Sequence, residues 1–383
     1  MSLKQTSILT LIIGSCLIGC VGPEEVKISE SWAVLEKSKP VSCDSIDFMV
    51  PRGSKVSRVR HFGDGSEGLL TAHALTTRGQ RIFIHMPTTD LNVVGDVNPL
   101  AISYNDNETV VGVTKDLKNI VVVEQNHDAT AVFLKDLYQQ ELMKTLRLVA
   151  PDFSSDFFIV ENSDQFILGS YDDLLQLRHL SFSAGEILEK TKISLPVSYK
   201  HLLDNEKNQD YHSYFYMLNV GESGETPSLL AYGNEGQKKI ELAIDGGNNI
   251  DGITMAVFAD RLYLALVLYN HENVVRRLQF MTLSSNEFKV IDSKTIKLGN
   301  LNIEKVKINS VNQKIYFSGM LWLGGEKTLV SYPWDGAPDP IYNGRFDENT
   351  VLTQLLASEN TLKAIVAGGK RNQKSYRLCA LKL

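Results

Sequence analysis

The sequence of 383 residues predicts an all-β fold built from short antiparallel strands. From residue 41 onward, runs of about five to nine residues rich in Val, Ile, Leu, Tyr and Phe alternate with clusters of Gly, Asn, Asp and Ser. The apolar residues of the runs favour strands, whereas the intervening residues favour turns. Helical spacing is scarce, and residues 136–148 fit either a strand or a short helix.

A four-strand unit is clearest in residues 253–298. Short turns there separate four apolar runs, at residues 253–258, 261–269, 274–283 and 288–298. Four strands joined by short turns make one antiparallel meander, which is the size of a propeller blade.

The same pattern recurs along the chain with a period of about 40–50 residues, which is typical of a propeller. It is clear at residues 108–149, 155–195 and 303–345, and weaker at residues 57–104 and 199–245. The units predict a single β-propeller of seven four-stranded blades, with six or eight as the alternatives. A pair of β-sandwiches matches the number of strands but not their four-strand pattern.

The last unit, residues 351–381, contains only three strand patterns. Residues 41–50 have a strand pattern that belongs to none of the other units. An open ring would leave two unpaired edges, so we expect the N-terminal strand to complete the last blade of a domain spanning residues 41–383. Cys43 and Cys379 would then lie on neighbouring strands and form a disulfide bond. Two separate buried thiols are the alternative.

The first residues have the pattern of a secretory signal, with Lys4 followed by a short apolar segment at residues 8–18. This segment is too short to span a bilayer. It ends in Leu17-Ile18-Gly19-Cys20, which resembles the lipobox of bacterial lipoproteins. An ordinary signal peptide is one alternative, and a lipobox ending at Cys16 is another.

The lipoprotein resemblance implies cleavage of residues 1–19, attachment of a diacylglyceryl group to Cys20, and acylation of the new amino terminus by a chain such as palmitate. Residues 20–40 would form the lipidated cysteine and its tether. Val21 stands where an Asp would imply retention at the inner membrane, so the resemblance implies the outer membrane of a Gram-negative cell. Either its periplasmic or its exterior side remains possible.

No propeller family is matched by the rest of the chain. The dipeptide Trp334-Asp335 occurs once, whereas a WD-type propeller repeats it in each blade. The lipoprotein propeller of the outer-membrane assembly machinery repeats Gly and Trp positions, and the three tryptophans here, Trp32, Trp322 and Trp334, depart from that pattern.

Histidine spacing is the first candidate for site chemistry. His61, His73 and His85 are spaced by twelve residues, but a two-residue turn at Arg78-Gly79 would place His73 and His85 on opposite faces of the sheet. We therefore expect structural histidines and assign no metal ligand, no cofactor and no catalytic residue.

Other candidates are weak. The acidic loops 204–210 and 245–252 lack the ligand order of an EF-hand. We expect the aromatic residues near 214–216 and 317–332 to be core residues, with Tyr211 exposed. Local hydrolase and nucleotide-binding motifs are missing from the sequence.

The function that these observations predict is that of an outer-membrane-anchored lipoprotein whose propeller is a protein-binding scaffold in the cell envelope. The expected partners are the membrane, through the N-terminal lipid, and an envelope protein. The formal net charge of −6 and the lack of a long Lys/Arg cluster argue against nucleic acid. The alternatives are a hydrolase or lyase acting on envelope or extracellular polymers at the mouth of the propeller, and a small-molecule-binding sensor.

Overall fold

The computed structural model describes residues 41–381, with gaps, and the predicted signal peptide, Cys20 and the tether lie outside these residues. The gaps are at 49, 64–66, 94–99, 115, 127–128, 139–141, 149–156, 160–164, 172–174, 184–185, 196–198, 204–212, 222–225, 234–235, 245–248, 271–274, 300, 323–325, 336–339, 359–360 and 370–374.

The strands of the described residues, β1 to β29, form seven antiparallel sheets, which are numbered here in chain order. Sheet 1 contains β2 (Lys55–Gly63), β3 (Glu67–Leu75), β4 (Arg81–Thr89), β5 (Asn92–Val93) and β6 (Leu100–Tyr104). Sheet 2 contains β7 (Glu108–Val113), β8 (Asn119–Asn126), β9 (Ala129–Asp136) and β10 (Leu142–Leu148). Sheet 3 contains β11 (Phe157–Ile159), β12 (Gln165–Tyr171), β13 (Leu175–Ser183) and β14 (Glu186–Leu195). Sheet 4 contains β15 (Tyr199–Leu203), β16 (Ser213–Asn219), β17 (Ser228–Gly233) and β18 (Gly236–Glu241).

The remaining sheets follow the same order. Sheet 5 contains β19 (Asn249–Phe258), β20 (Arg261–Asn270), β21 (Val275–Ser284) and β22 (Lys289–Gly299). Sheet 6 contains β23 (Asn302–Val311), β24 (Lys314–Trp322), β25 (Glu326–Pro333) and β26 (Ile341–Asp347). Sheet 7 contains β27 (Val351–Ala357), β28 (Leu362–Gly368), β29 (Ser375–Leu381) and β1 (Cys43–Ser45). Six of these sheets therefore consist of consecutive strands, and sheet 7 combines strands from both ends of the described chain.

The hydrophobic core is divided among the interfaces between successive sheets. Sheet 6 packs against sheet 5 through one cluster, which includes Phe280 and Phe317, and against sheet 7 through another, which includes Leu329 and Leu355. Further clusters join sheets 4 and 5, 7 and 1, and 1 and 2. A sheet that packs both faces against different neighbours belongs to a ring rather than a sandwich, so the predicted all-β propeller is confirmed.

The first strands of sheets 5, 6, 7 and 1 lie at the inner edge of the ring. In sheets 5, 6, 7 and 1, the first strands β19, β23, β27 and β2 neighbour one another in that order. Because each sheet repeats the same up-and-down strand order, we call the side where first strands begin the upper face and the opposite side the lower face. Second strands consequently end at the upper face.

Sheet 7 closes the ring as predicted. β1 pairs antiparallel with β29, which places Cys43 opposite Cys379, and a disulfide bond joins these two residues across 336 positions of sequence. The strand has three residues, whereas residues 41–50 were expected to form one. It is shorter because the following residues cross to sheet 1, where Ile46 packs into the cluster between sheets 7 and 1.

The strand bounds answer two questions that the sequence left open: whether residues 142–148 form a strand or a helix, and why residues 57–104 fit the four-strand pattern less well. Residues 142–148, for which a short helix was the alternative, form β10. Sheet 1 departs from the four-strand pattern because β4 pairs with both β5 and β6. A tight turn at Asp90 and Leu91, both with positive φ, folds β5 back onto β4. In the described part of the chain, no helix has the length and apolar composition needed to cross a bilayer.

Candidate functional site

The turn between β3 and β4 differs from the one expected. Thr76 donates its N–H to the carbonyl of Gln80 (2.9 Å), so the turn has three central residues, and Gly79 provides the positive φ that such a turn needs. His73 therefore pairs with Phe83, and His85 pairs with Thr71. The two histidines share one face of the sheet, and the prediction of opposite faces is wrong.

Each of the three histidines has its own partner. A hydrogen bond joins His61 Nε2 and Thr88 Oγ1 (2.8 Å), and another joins His73 Nδ1 and the Tyr104 hydroxyl (2.9 Å). His85 Nε2 donates to the carbonyl of Leu137 (3.3 Å). Within the described ranges, no group of three His, Cys, Asp or Glu side chains could hold a metal ion. The structure thus gives these histidines packing and hydrogen-bonding roles.

The pKa values of two of these histidines favour the neutral ring. Burial lowers the pKa of His73 to about 4, with smaller contributions from Arg58 and Arg60. Burial also lowers the pKa of His85, partly offset by the bond to Leu137. The two arginines near His73 belong to the inner strand β2.

Aromatic residues fall into two groups. Tyr216, Phe317 and Tyr332 are core residues, as expected. Trp322 was expected in the core, but 44% of it is exposed because it ends β24 at the upper face, beyond the contact between sheets. Tyr211 and the loop 204–210 lie outside the described residues, as do residues 245–248.

The upper face carries exposed apolar side chains on three consecutive sheets. Leu75 ends β3 in sheet 1, Val351 begins β27 in sheet 7, and Trp322 ends β24 in sheet 6. Leu75 and Val351 are each 45% exposed. Sequence reasoning missed both, although their positions next to predicted turns could have indicated exposure.

Carboxylates of the described first strands are engaged in ion pairs. Glu108 pairs with Lys135 (3.2 Å), Asp251 with Arg276 (3.4 Å), and Glu304 with Lys327 (3.1 Å). A glycoside hydrolase needs two carboxyl groups facing one substrate bond. The three acids here are instead held by the cations beside them.

Comparison with known proteins supports the fold. Neither a protein-family model nor a curated protein matches the sequence. Among solved structures, the β-propeller domain of the Trilobed protease from Pyrococcus furiosus is similar, with a TM-score of 0.50 and 12% identity over 86% of this chain and 94% of that domain.

Two further structures are similar at the same level. Pyrococcus horikoshii acylaminoacyl peptidase has a TM-score of 0.51 and 12% identity, covering 84% of this chain and 52% of its own. The S. cerevisiae core factor has a TM-score of 0.51 and 10% identity, covering 90% of this chain and 61% of its own. This chain thus spans about half the length of the peptidase. These likenesses show a shared propeller fold and no shared activity.

Proposed function

We propose that this protein is a lipid-anchored scaffold of the bacterial cell envelope whose propeller binds another protein through its upper face. The observation that carries the proposal is that the chain enters the ring at the lower face, opposite Leu75, Trp322 and Val351. An anchor before residue 41 would leave the upper face clear.

The point of entry follows from strand directions. β29 is the third strand of sheet 7 and runs from the upper to the lower face, and β1 is antiparallel to it. Residues before Cys43 therefore join the ring at the lower face. Val41 packs there beside Gly344 of β26 and the cluster between sheets 6 and 7.

The lipid anchor is supported by the run Leu17-Ile18-Gly19-Cys20. Two or three acyl chains on Cys20 would hold the protein firmly, because a single chain binds only marginally. Val21 supports an outer-membrane location. Residues 20–40 would then connect this membrane to the lower face.

Protein binding is supported by the chemistry of the upper face. Tryptophan is enriched among residues that dominate binding energy at protein interfaces. Trp322 is exposed next to sheet 7, which exposes Val351, and sheet 1 on the other side of sheet 7 exposes Leu75. The ion pairs of Glu108, Asp251 and Glu304 favour this function over polymer hydrolysis.

The anchor is tested by labelling the full chain with a palmitate analogue in a Gram-negative host, followed by membrane fractionation. We expect label on the wild type and on Cys16→Ser, and loss of label and of outer-membrane location in Cys20→Ser. Label retained by Cys20→Ser, or no label on the wild type, would contradict the proposed anchor.

The binding face is tested by cross-linking in cells and purification from solubilised envelopes. We expect a cross-linked protein whose yield falls about tenfold in the variant Leu75→Ser/Trp322→Ser. The control is Ile291→Ser, because Ile291 is 52% exposed on the outer strand β22 near the lower face. An equal yield from all three proteins would contradict binding through the upper face.

A further inference from the structure

The upper end of sheet 1 brings two turns together beside Leu75. One turn leads into β2, and the other is the three-residue turn between β3 and β4. A Cβ atom built on Gly53 of the first turn would lie 2.9 Å from the side chain of Thr77 in the second, so the two turns are in contact. Next to this contact, Lys55 at the start of β2 pairs with Leu75 at the end of β3.

Three exposed cations belong to these two turns and the strand pair beside them. Arg52 lies in the first turn, Arg78 lies in the second, and Lys55 begins β2. Within the described residues, none of the three has an acidic partner. Their charges therefore face solvent around the exposed side chain of Leu75.

The charge at this end of sheet 1 stays positive when its acids are counted. Arg81, the next cation along the chain, is paired with Asp106 (3.4 Å), so these two charges offset each other. Asp47 is a further exposed acid, in the segment that crosses from sheet 7 to sheet 1. Three unpaired cations thus stand against one acid, in a chain whose formal net charge is −6.

The upper end of sheet 6 carries the opposite charge. The outer strand β26 ends there at Asp347, and both Asp347 and Glu348 are exposed. Asp347 pairs with Glu326 at the start of β25, and the cation near Glu326 is Arg345 at 3.9 Å. Trp322 ends β24, the strand next to β25. The exposed tryptophan is therefore flanked by acids, whereas Leu75 is flanked by cations.

This distribution of charge decides what kind of partner fits the upper face. Nucleic acid and an anionic bilayer present negative charge throughout, so the acids of sheet 6 would repel either of them. A second copy of this chain, joined upper face to upper face, would have its lower face and its tether on the far side of the pair. A protein with an acidic segment matches the basic end and avoids both conflicts, because complementary charges select the partner and fix its orientation.

We propose that the upper face binds an acidic segment of a partner protein at sheet 1. Arg52, Lys55 and Arg78 pair with its carboxylates, and Leu75 packs against an apolar side chain between them. Guanidinium groups bind carboxylates through paired hydrogen bonds, and the lysine adds a point charge. This inference rests on the protein-binding function proposed above and names the chemistry of its partner.

The test measures anisotropy of a dye-labelled synthetic peptide of repeated Asp-Leu-Glu-Ser, titrated with the purified full chain at low ionic strength. We expect saturable binding by the wild type and about tenfold weaker binding by Arg52→Ser/Arg78→Ser. The control Lys239→Ser/Lys314→Ser removes two exposed lysines, from the outer strand β18 and from the lower end of β24. It should bind within about twofold of the wild type.

Two altered peptides separate charge from apolar contact. We expect no binding of a peptide with Lys in place of both acids, and about fivefold weaker binding of one with Ser in place of Leu. The proposal is overturned if the lysine peptide binds as tightly as the acidic one, or if the control variant loses as much affinity as Arg52→Ser/Arg78→Ser. It is also overturned if duplex DNA, phosphatidylglycerol vesicles or a second copy of the chain binds more tightly than the acidic peptide.

The cross-linking in cells described above separates this inference from the function on which it rests. We expect the yield of cross-linked protein from Arg52→Ser/Arg78→Ser to fall about tenfold, as from Leu75→Ser/Trp322→Ser. A normal yield from the arginine variant, together with a loss in Leu75→Ser/Trp322→Ser, would overturn the acidic segment and leave the binding face in place. A normal yield from both variants would contradict the binding face itself.

Discussion

At the scale of single residues, His73 shows how burial determines charge. Its ring packs edge-on against Phe83 and Tyr104 and has a pKa of about 4, well below the 6.5 of an unfolded chain. The unfolded state therefore binds more protons between these two pH values. Stability attributable to His73 is complete above pH 6.5 and is lost as the pH falls towards 4.

This protonation difference gives a measurable prediction. Between pH 7 and pH 4.5, we expect the wild type to lose about 2 kcal/mol more unfolding free energy than His73→Gln loses. Glutamine keeps a hydrogen-bonding group near Tyr104 but does not titrate in this range. Urea unfolding at both pH values measures the difference, and parallel pH dependence of the two proteins would contradict it.

Gly344 lies so close to Val41 that it has no room for a side chain. A Cβ atom at this position would collide with the Val41 side chain. We expect Gly344→Ala to lower the unfolding free energy by about 1–3 kcal/mol, and Val41→Ala to restore part of that loss when the two are combined. A urea-unfolding double-mutant cycle measures this coupling, and simple additivity would show that the N-terminal segment does not pack there.

At the scale of elements, the junction between sheets 7 and 1 depends on polar clamps as well as on apolar packing. The side-chain amide of Gln354 in β27 accepts from the N–H of His61 (2.7 Å) and donates to its carbonyl (2.9 Å). Lys363 donates from sheet 7 to the carbonyl of Leu91 (3.3 Å) and to Asn92 Oδ1 (2.6 Å) in sheet 1. These bonds link the first and last sheets of the ring.

Removing the amide clamp should loosen this junction. We expect Gln354→Leu, which keeps the volume but leaves both backbone groups of His61 without that partner, to cost about 2 kcal/mol. Faster hydrogen exchange at the backbone of β2 would accompany this loss. Gln237→Leu on the exposed outer strand β18 is the control and should change the unfolding free energy by less than about 0.5 kcal/mol.

Strands were predictable because each apolar run carries its own signal, whereas bulges such as the one between Ser57 and Arg60 of β2 were not. A bulge is a property of the pairing between two strands, and the run Lys55–Gly63 reads as a regular strand until its partner is known. Likewise, one additional residue in the turn before Gln80 reversed the expected faces of His73 and His85.

At the scale of the whole molecule, the disulfide bond between Cys43 and Cys379 should be a major source of stability. It closes a loop of 336 residues, for which the chain-entropy model gives up to about 6 kcal/mol. We expect Cys43→Ala/Cys379→Ala to unfold at a clearly lower denaturant concentration than the oxidised wild type. A reductant should lower the stability of the wild type to that of the variant and leave the variant unchanged.

Ring closure was predictable from the number of strand patterns in each unit. The last unit had three patterns instead of four, and the N-terminal segment had one additional pattern. Function was less accessible, since known proteins with this fold include peptidases and a core factor. The exposure of Trp322 became visible only when neighbouring sheets were placed side by side.

The pairing of β1 with β29 has a consequence for biosynthesis. Translation proceeds from the N-terminus, so the thiol of Cys43 exists long before the strand that it joins. At about 5–20 residues per second, the 336 intervening residues take tens of seconds to make. Throughout this time no copy can form the native bond, and a chain that ends before β29 never can. Every unfinished or truncated copy therefore lacks the native bond at Cys43.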